Sequence, residues 1–152
     1  MKLIIALVLA AGILSGCSTS SPWPAPLGSV QHATTVRHDK ARQLFDQARQ
    51  LGERVKEGEL TRVQVADQLN LLRLRLVGHN PVDDATFNTY RYLAGQRDNG
   101  AIDSASAQSR MEMTLRDWQQ RWPLLARHPA DPAFTNFLLQ LYDLPPMIAM
   151  SP

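Results

Sequence analysis

Cys17 is the only thiol in the 152-residue chain, so neither an internal disulfide nor a cysteine-based zinc site can form. The other side chains able to ligate a metal or move a proton near neutral pH are His32, His38, His79 and His128. None has a second histidine at helical ligand spacing, and His-Glu-x-x-His does not occur. His32 and His38 fall in a segment expected to be extended. His79 and His128 stand beside turn prolines, so all four read as solvated loop residues. Asp83-Asp84 is a carboxylate pair, but it follows Pro81 at a helix start, where capping and the helix dipole account for it. There is no Gly-x-Ser-x-Gly and no glycine-rich phosphate loop. The sequence therefore nominates no catalytic residue, no metal site and no cofactor, and a non-catalytic protein is expected.

Arginine outnumbers lysine, thirteen to three. Arg49, Arg73 and Arg91 border apolar stripes. Either their stems snorkel and their heads form internal ion pairs, or they face an acidic partner. Arg73, at the edge of a central helical stripe, is the tentative partner contact. Trp118 and Trp122, four apart, fit either a packed core or an aromatic-lined groove. The net charge of +2 lacks the basic excess of a nucleic-acid binder.

The surroundings of Cys17 are specific. After Lys2, Leu3 to Leu14 is an uncharged apolar run of twelve residues. That is shorter than the roughly 20 needed to span a bilayer, and it matches the core of an export signal. It leads into Leu14-Ser15-Gly16-Cys17. This resembles the lipobox of bacterial lipoproteins: an apolar residue, two small ones that fit a peptidase cleft, and a cysteine whose thiol can become a thioether. The resemblance implies cleavage between Gly16 and Cys17, and attachment of diacylglycerol and an amide-linked acyl chain (such as palmitate) at Cys17. Two or three chains anchor a protein stably where one does not. By the same resemblance, Ser18 in place of aspartate favours the outer membrane. Removing residues 1–16 leaves 136 residues with 15 basic and 14 acidic side chains.

These groups need elements to position them. Residues 17–38 are rich in Ser and Thr, with Pro22, Pro24 and Pro26 alternating, and read as a flexible lipidated tether. Twenty stretched residues reach about 65 Å. Trp23 could rest at the lipid interface. From Asp39, a candidate cap, the apolar period becomes helical, and residues 39–144 are expected to be all-α. The first helix carries Leu44, Phe45, Ala48, Leu51 and Val55. Thr61-Arg62-Val63-Gln64 is a capping box for the second, which is apolar on more than one side and so central. Asp83 or Asp84 is expected to start the third helix and Asp103 or Ser104 the fourth. The fourth has the cleanest stripe, Ala107, Met111, Leu115, Trp118, Trp122 and Leu125, worth very roughly 10 kcal/mol before entropy. Pro123 should end it. Asp131-Pro132 reads as cap and first residue of a short fifth helix, stopped by Pro145-Pro146. The apolar tail, residues 145–152, is expected to pack back or to serve as a binding peptide.

Gly58 to Val65 aligns with Gly100 to Ala107 at an offset of 42, with Phe45 matching Phe87, Arg49 matching Arg91 and Leu51 matching Leu93. This turn is similar to that of short helical-hairpin modules such as the bacterial short C-terminal (SHOCT) domains, a resemblance that implies a hairpin and carries no function. The expected architecture is two stacked hairpins with the fifth helix across them. The expected role is that of a lipid-anchored, outer-membrane module facing the periplasm and binding an envelope protein through the hairpin stack. A regulator or inhibitor of a periplasmic cell-wall hydrolase, and a pilotin-like assembly chaperone, use the same features. An enzyme would need a pocket of converging polar groups that no motif announces.

Overall fold

The computed structural model describes residues 28–148, with side-chain surroundings from residue 39 onward. The lipobox, Cys17, Trp23 and the first part of the expected tether lie outside the described residues. The order is α1 (Gly28–Lys56), α2 (Arg62–Val77), α3 (Pro81–Asp98), α4 (Ser104–Arg121), a 3-10 turn (Trp122–Leu124) and α5 (Ala133–Leu141). No described helix is long and apolar enough to cross a membrane.

Helix α1 begins eleven residues before Asp39, so the helical region starts earlier than the expected boundary. Proline is the strongest local barrier to a helix, and the last one in this region is Pro26. At the other end α1 stops at Gly58, whose φ of 76° is open to glycine at little cost.

The repeat is physical. At the first turn the amides of Gly58, Glu59 and Leu60 donate to Val55 O, Arg54 O and Arg54 O. At the second, those of Gly100, Ala101 and Ile102 donate to Arg97 O, Gln96 O and Gln96 O, each the same bond 42 residues on. The caps match too: Gln64 N donates to Thr61 Oγ1 at 3.1 Å and Ser106 N to Asp103 Oδ1 at 2.7 Å. Thr61 N returns a bond to Gln64 Oε1 at 2.8 Å, completing the box. Two copies of one turn give two hairpins, α1–α2 and α3–α4, stacked through α2 and α3. The central placement of α2 follows, since it packs on α1 and α3 and also meets α5.

Helix α3 starts at Pro81, with Asn80 as its cap, two residues ahead of the aspartates expected to begin it. Asn80 Oδ1 accepts Asp83 N at 2.9 Å, and Pro81 supplies a preset φ at the first helical position. That leaves the Asp83 side chain free for another task. Helix α4 buries Ala107, Met111, Leu115 and Trp118 and gives way at Trp122, also buried, to the 3-10 turn that contains Pro123.

Helix α5 is mostly apolar, with Thr135, Asn136 and Gln140 as its polar residues. Ala133, Phe134, Thr135, Phe137, Leu138 and Leu139 are all buried, and the helix lies between α1 and α3, whose backbones do not approach each other directly. Its cap differs from the expected one. Pro132, not Asp131, is the N-cap and supplies no side-chain bond; the carboxylate comes from α3. Asp83 Oδ1 accepts Thr135 N at 2.9 Å and Thr135 Oγ1 at 2.8 Å, and Oδ2 accepts Phe134 N at 3.3 Å. The helix ends before Pro145-Pro146. Asp143, at φ 54°, turns the chain, and Leu144 N donates to Leu139 O at 2.8 Å.

The tail packs back as far as residue 148. Asn136 clamps Met147 with two bonds, Met147 N to Oδ1 at 2.8 Å and Nδ2 to Met147 O at 3.1 Å. Gln119 Nε2 donates to Pro145 O and Trp122 Nε1 to Ile148 O. Met147 is buried, while Ile148 remains exposed.

Candidate interaction groove

Most of the polar groups that stand out in the sequence are spent inside the protein. Arg73 is 2% exposed. Its Nε and Nη2 both reach Asn70 Oδ1, at 3.0 and 2.8 Å, and Nη1 meets Asp84 Oδ1 at 2.6 Å. The guanidinium also lies 5.4 Å from the centre of the Phe87 ring. The tentative assignment of Arg73 to a partner is therefore corrected: the alternative of an internal ion pair is the one observed. In the repeat Arg73 occupies the place of buried Leu115, and Asn70 with Asp84 makes that place tolerable for a cation. Arg91 is held by Asp67, with Nε to Oδ1 at 2.7 Å.

Asp83 is fully buried and accepts from Asn80 Nδ2 as well as from α5. Burial raises its carboxyl above the ordinary value, and the bonds from Asn80, Thr135 and Phe134 oppose that rise without cancelling it. Trp118 and Trp122 are core residues, not groove walls. His79 is mostly exposed, 3.3 Å from Asp84, and His128 Nε2 lies 2.8 Å from Trp122 O. No group of three or more metal-ligating side chains gathers among the described residues.

Arg49 has a different setting. It stands on the C-terminal half of α1 beside a groove of about 380 Å³ that runs between this helix, α5 and the ends of α2 and α3. Phe45, Ala48, Gly52 and Val55 bring α1 to it at spacings of three and four, one face of a helix. Phe137 and Leu141 of α5 form the facing wall, and Leu141 is half exposed there. The groove exists because α5 is short: its nine residues cover the stem of the channel between α1 and α3, and the turn at Asp143 takes the chain away.

The rim is cationic. Arg49, Lys56, Arg62 and Arg97 line it, and no Asp or Glu does. Lys56 touches Glu53 at 2.8 Å on the solvent side, where such a pair contributes little. Arg62 is fixed by Asp98, with Nη1 to Oδ1 at 3.1 Å. Burial pushes the Asp98 carboxyl up, but the Val63 and Arg62 amides and the Arg62 guanidinium outweigh it and hold it below the ordinary value. A smaller pocket of about 90 Å³ shares Arg62, Tyr90 and Arg97 and ends at Tyr142. Burial raises both phenols, so they stay neutral and do not offset the positive rim. The lining thus supplies apolar contact and guanidinium donors.

Sequence reasoning reached Arg49 but missed Arg62, Arg97 and Lys56. Arg97 closes α3 and Arg62 opens α2, and only the antiparallel packing of these two helices brings them together. A signal was present in the α1 face, where Gly52 interrupts an apolar row without ending the helix. Compared with known proteins, the chain matches no family model, no curated protein and no solved structure.

Proposed function

We propose that this chain is a lipid-anchored protein of the bacterial cell envelope, held by acylated Cys17 at the outer membrane and facing the periplasm. Its helical domain binds another envelope protein and does not catalyse a reaction. The anchor rests on Leu14-Ser15-Gly16-Cys17 after a short apolar run, with the sole thiol at the position the chemistry requires. One observation carries the binding role. Among the described residues, buried Arg73, Asp83, Thr86 and Thr135 are engaged within the domain, while an apolar groove with a cationic rim is open to solvent.

The test has two parts on the full chain. Mass spectrometry of the membrane-extracted protein should show a processed N-terminus at Cys17 carrying diacylglycerol and an amide-linked acyl chain. Cys17→Ala should remain unprocessed and lose the acyl mass. Crosslinking in cells, followed by purification of the tagged chain, should return the same envelope protein repeatedly. A Cys17→Ala protein cut at the same bond and still membrane-bound would refute the anchor, and the absence of any recurring adduct would refute the binding role.

A further inference from the structure

Mid-helix glycine is disfavoured relative to alanine, so its presence calls for a reason. Gly52 sits inside α1 with helix on both sides, and a Cβ added there would meet nothing within 4 Å. Packing within the domain therefore does not require it. It lies in the floor of the groove, between Ala48 and Val55. Three small or short side chains on one helical face let another backbone come close. Of the four cations around them, Lys56 and Arg62 are paired with Glu53 and Asp98, which leaves Arg49 and Arg97 to give the rim its net positive charge. Charge arranged this way selects partners of the opposite sign and speeds their encounter.

We propose that the groove between α1 and α5 is a docking site for an amphipathic helix of another envelope protein, apolar on one face and flanked by Asp and Glu. This rests on the partner-binding role proposed above and names the partner's chemistry. The incoming helix lays apolar side chains at i, i+3 or i+4 and i+7 against Phe45, Val55 and Phe137, with its backbone over Gly52. Its acidic flanks meet Arg49 and Lys56 on one side and Arg97 on the other. The walls are helical and close-packed with no strand edge among the described residues, which suits a helix whose own backbone bonds are already made.

Site-specific photocrosslinking in cells tests this with the full chain. Leu141→p-benzoylphenylalanine places the crosslinker on the groove wall, and Met113→p-benzoylphenylalanine places it on an exposed part of α4 outside the groove. The expected result is an adduct from position 141 and not from 113, whose crosslinked segment has apolar residues at helical spacing and an excess of Asp and Glu. That segment, synthesised as a peptide, should bind the full chain in nanodiscs at least tenfold more weakly when Arg49→Glu and Arg97→Glu are combined. Raising salt from 50 to 500 mM should weaken it severalfold. Gly52→Leu, which has room to fold, should block binding, with circular dichroism confirming the helix content of each variant.

An adduct with the mass of a lipid, with a second copy of this chain, or with a basic or uncharged segment would overturn the proposal. So would binding indifferent to both Gly52→Leu and the charge reversals. An envelope protein captured at position 113 but not at 141 would sink the groove and leave the partner-binding role standing. No adduct from either position would sink both.

Discussion

Replacing Asp83 with alanine should show how α5, one wall of the groove, is held. The carboxylate accepts two backbone amides and a hydroxyl from α5 and an amide from Asn80. Phe134 and Thr135 are fully buried, so water cannot take over. The Thr135 hydroxyl keeps a partner in Thr86 Oγ1 at 3.1 Å, and the Asn80 amide can turn outward, so two backbone donors are stranded. Each buried donor left unpaired costs about 1–3 kcal/mol. Release of the desolvated carboxylate offsets part of this, and Asp83→Ala should lose about 3–4 kcal/mol. For a domain of this size that corresponds to a fall in Tm of about 10–20 °C. Urea denaturation followed by circular dichroism measures it, and Asp83→Asn, which keeps one acceptor oxygen, should recover part of the loss. The pH dependence has a definite sign. A carboxyl raised by folding contributes stability below its ordinary value of 3.8 and loses that contribution as pH climbs through the raised value. The difference between wild type and Asp83→Asn should therefore shrink as pH rises above about 4 and then level off. Asp98 and Asp103, both lowered, act in the opposite sense, and their contribution disappears on acidification below their ordinary value. A loss below 1 kcal/mol for Asp83→Ala would refute the claim that this side chain caps α5.

Three further outcomes follow from the same geometry. Asp84→Ala removes the carboxylate from buried Arg73 and should destabilise by about 1–2 kcal/mol, reduced from a fully buried pair because Asp84 is 35% exposed; Arg73→Met should cost less, since an apolar chain of similar length fills the site. Chemical denaturation of both variants checks the order. Gly52→Ala should raise stability by about 0.5–1 kcal/mol, because the helix gains a better former and the added methyl touches nothing in the domain; a thermal scan showing destabilisation would contradict the open space at that position. Asn136→Ala should release the tail, with faster hydrogen exchange at Met147 and a loss of about 1–2 kcal/mol from two broken bonds, while α1 to α3 keep their protection.

The local signals were legible because they act over short distances along the chain. Glycine at a positive φ, a threonine or aspartate three residues ahead of an amide and an apolar residue between them define a turn without help from the rest of the fold. Written twice at an offset of 42, they specified two hairpins, and the stripe of α4 and its end at Pro123 needed only helical periodicity. The all-α class and the stacking of hairpins were determined by the sequence in this sense.

What the tertiary structure decided involves residues far apart. Asp83 caps a helix that begins 50 residues later in the chain, and no spacing rule connects it to Thr135. Asp131, adjacent to the helix, was the better local candidate, and the packing of α3 on α5 overrode it. Arg73 reads as a surface cation by type, yet it is buried because Asn70 and Asp84 converge on it from two helices. The groove belongs to this second class. The face of α1 that lines it was written in the sequence, but whether that face was covered depended on how far α5 extends before Asp143 turns the chain. A pattern of side chains can say which surface seeks contact, while the area left uncovered is a property of how whole elements fit together.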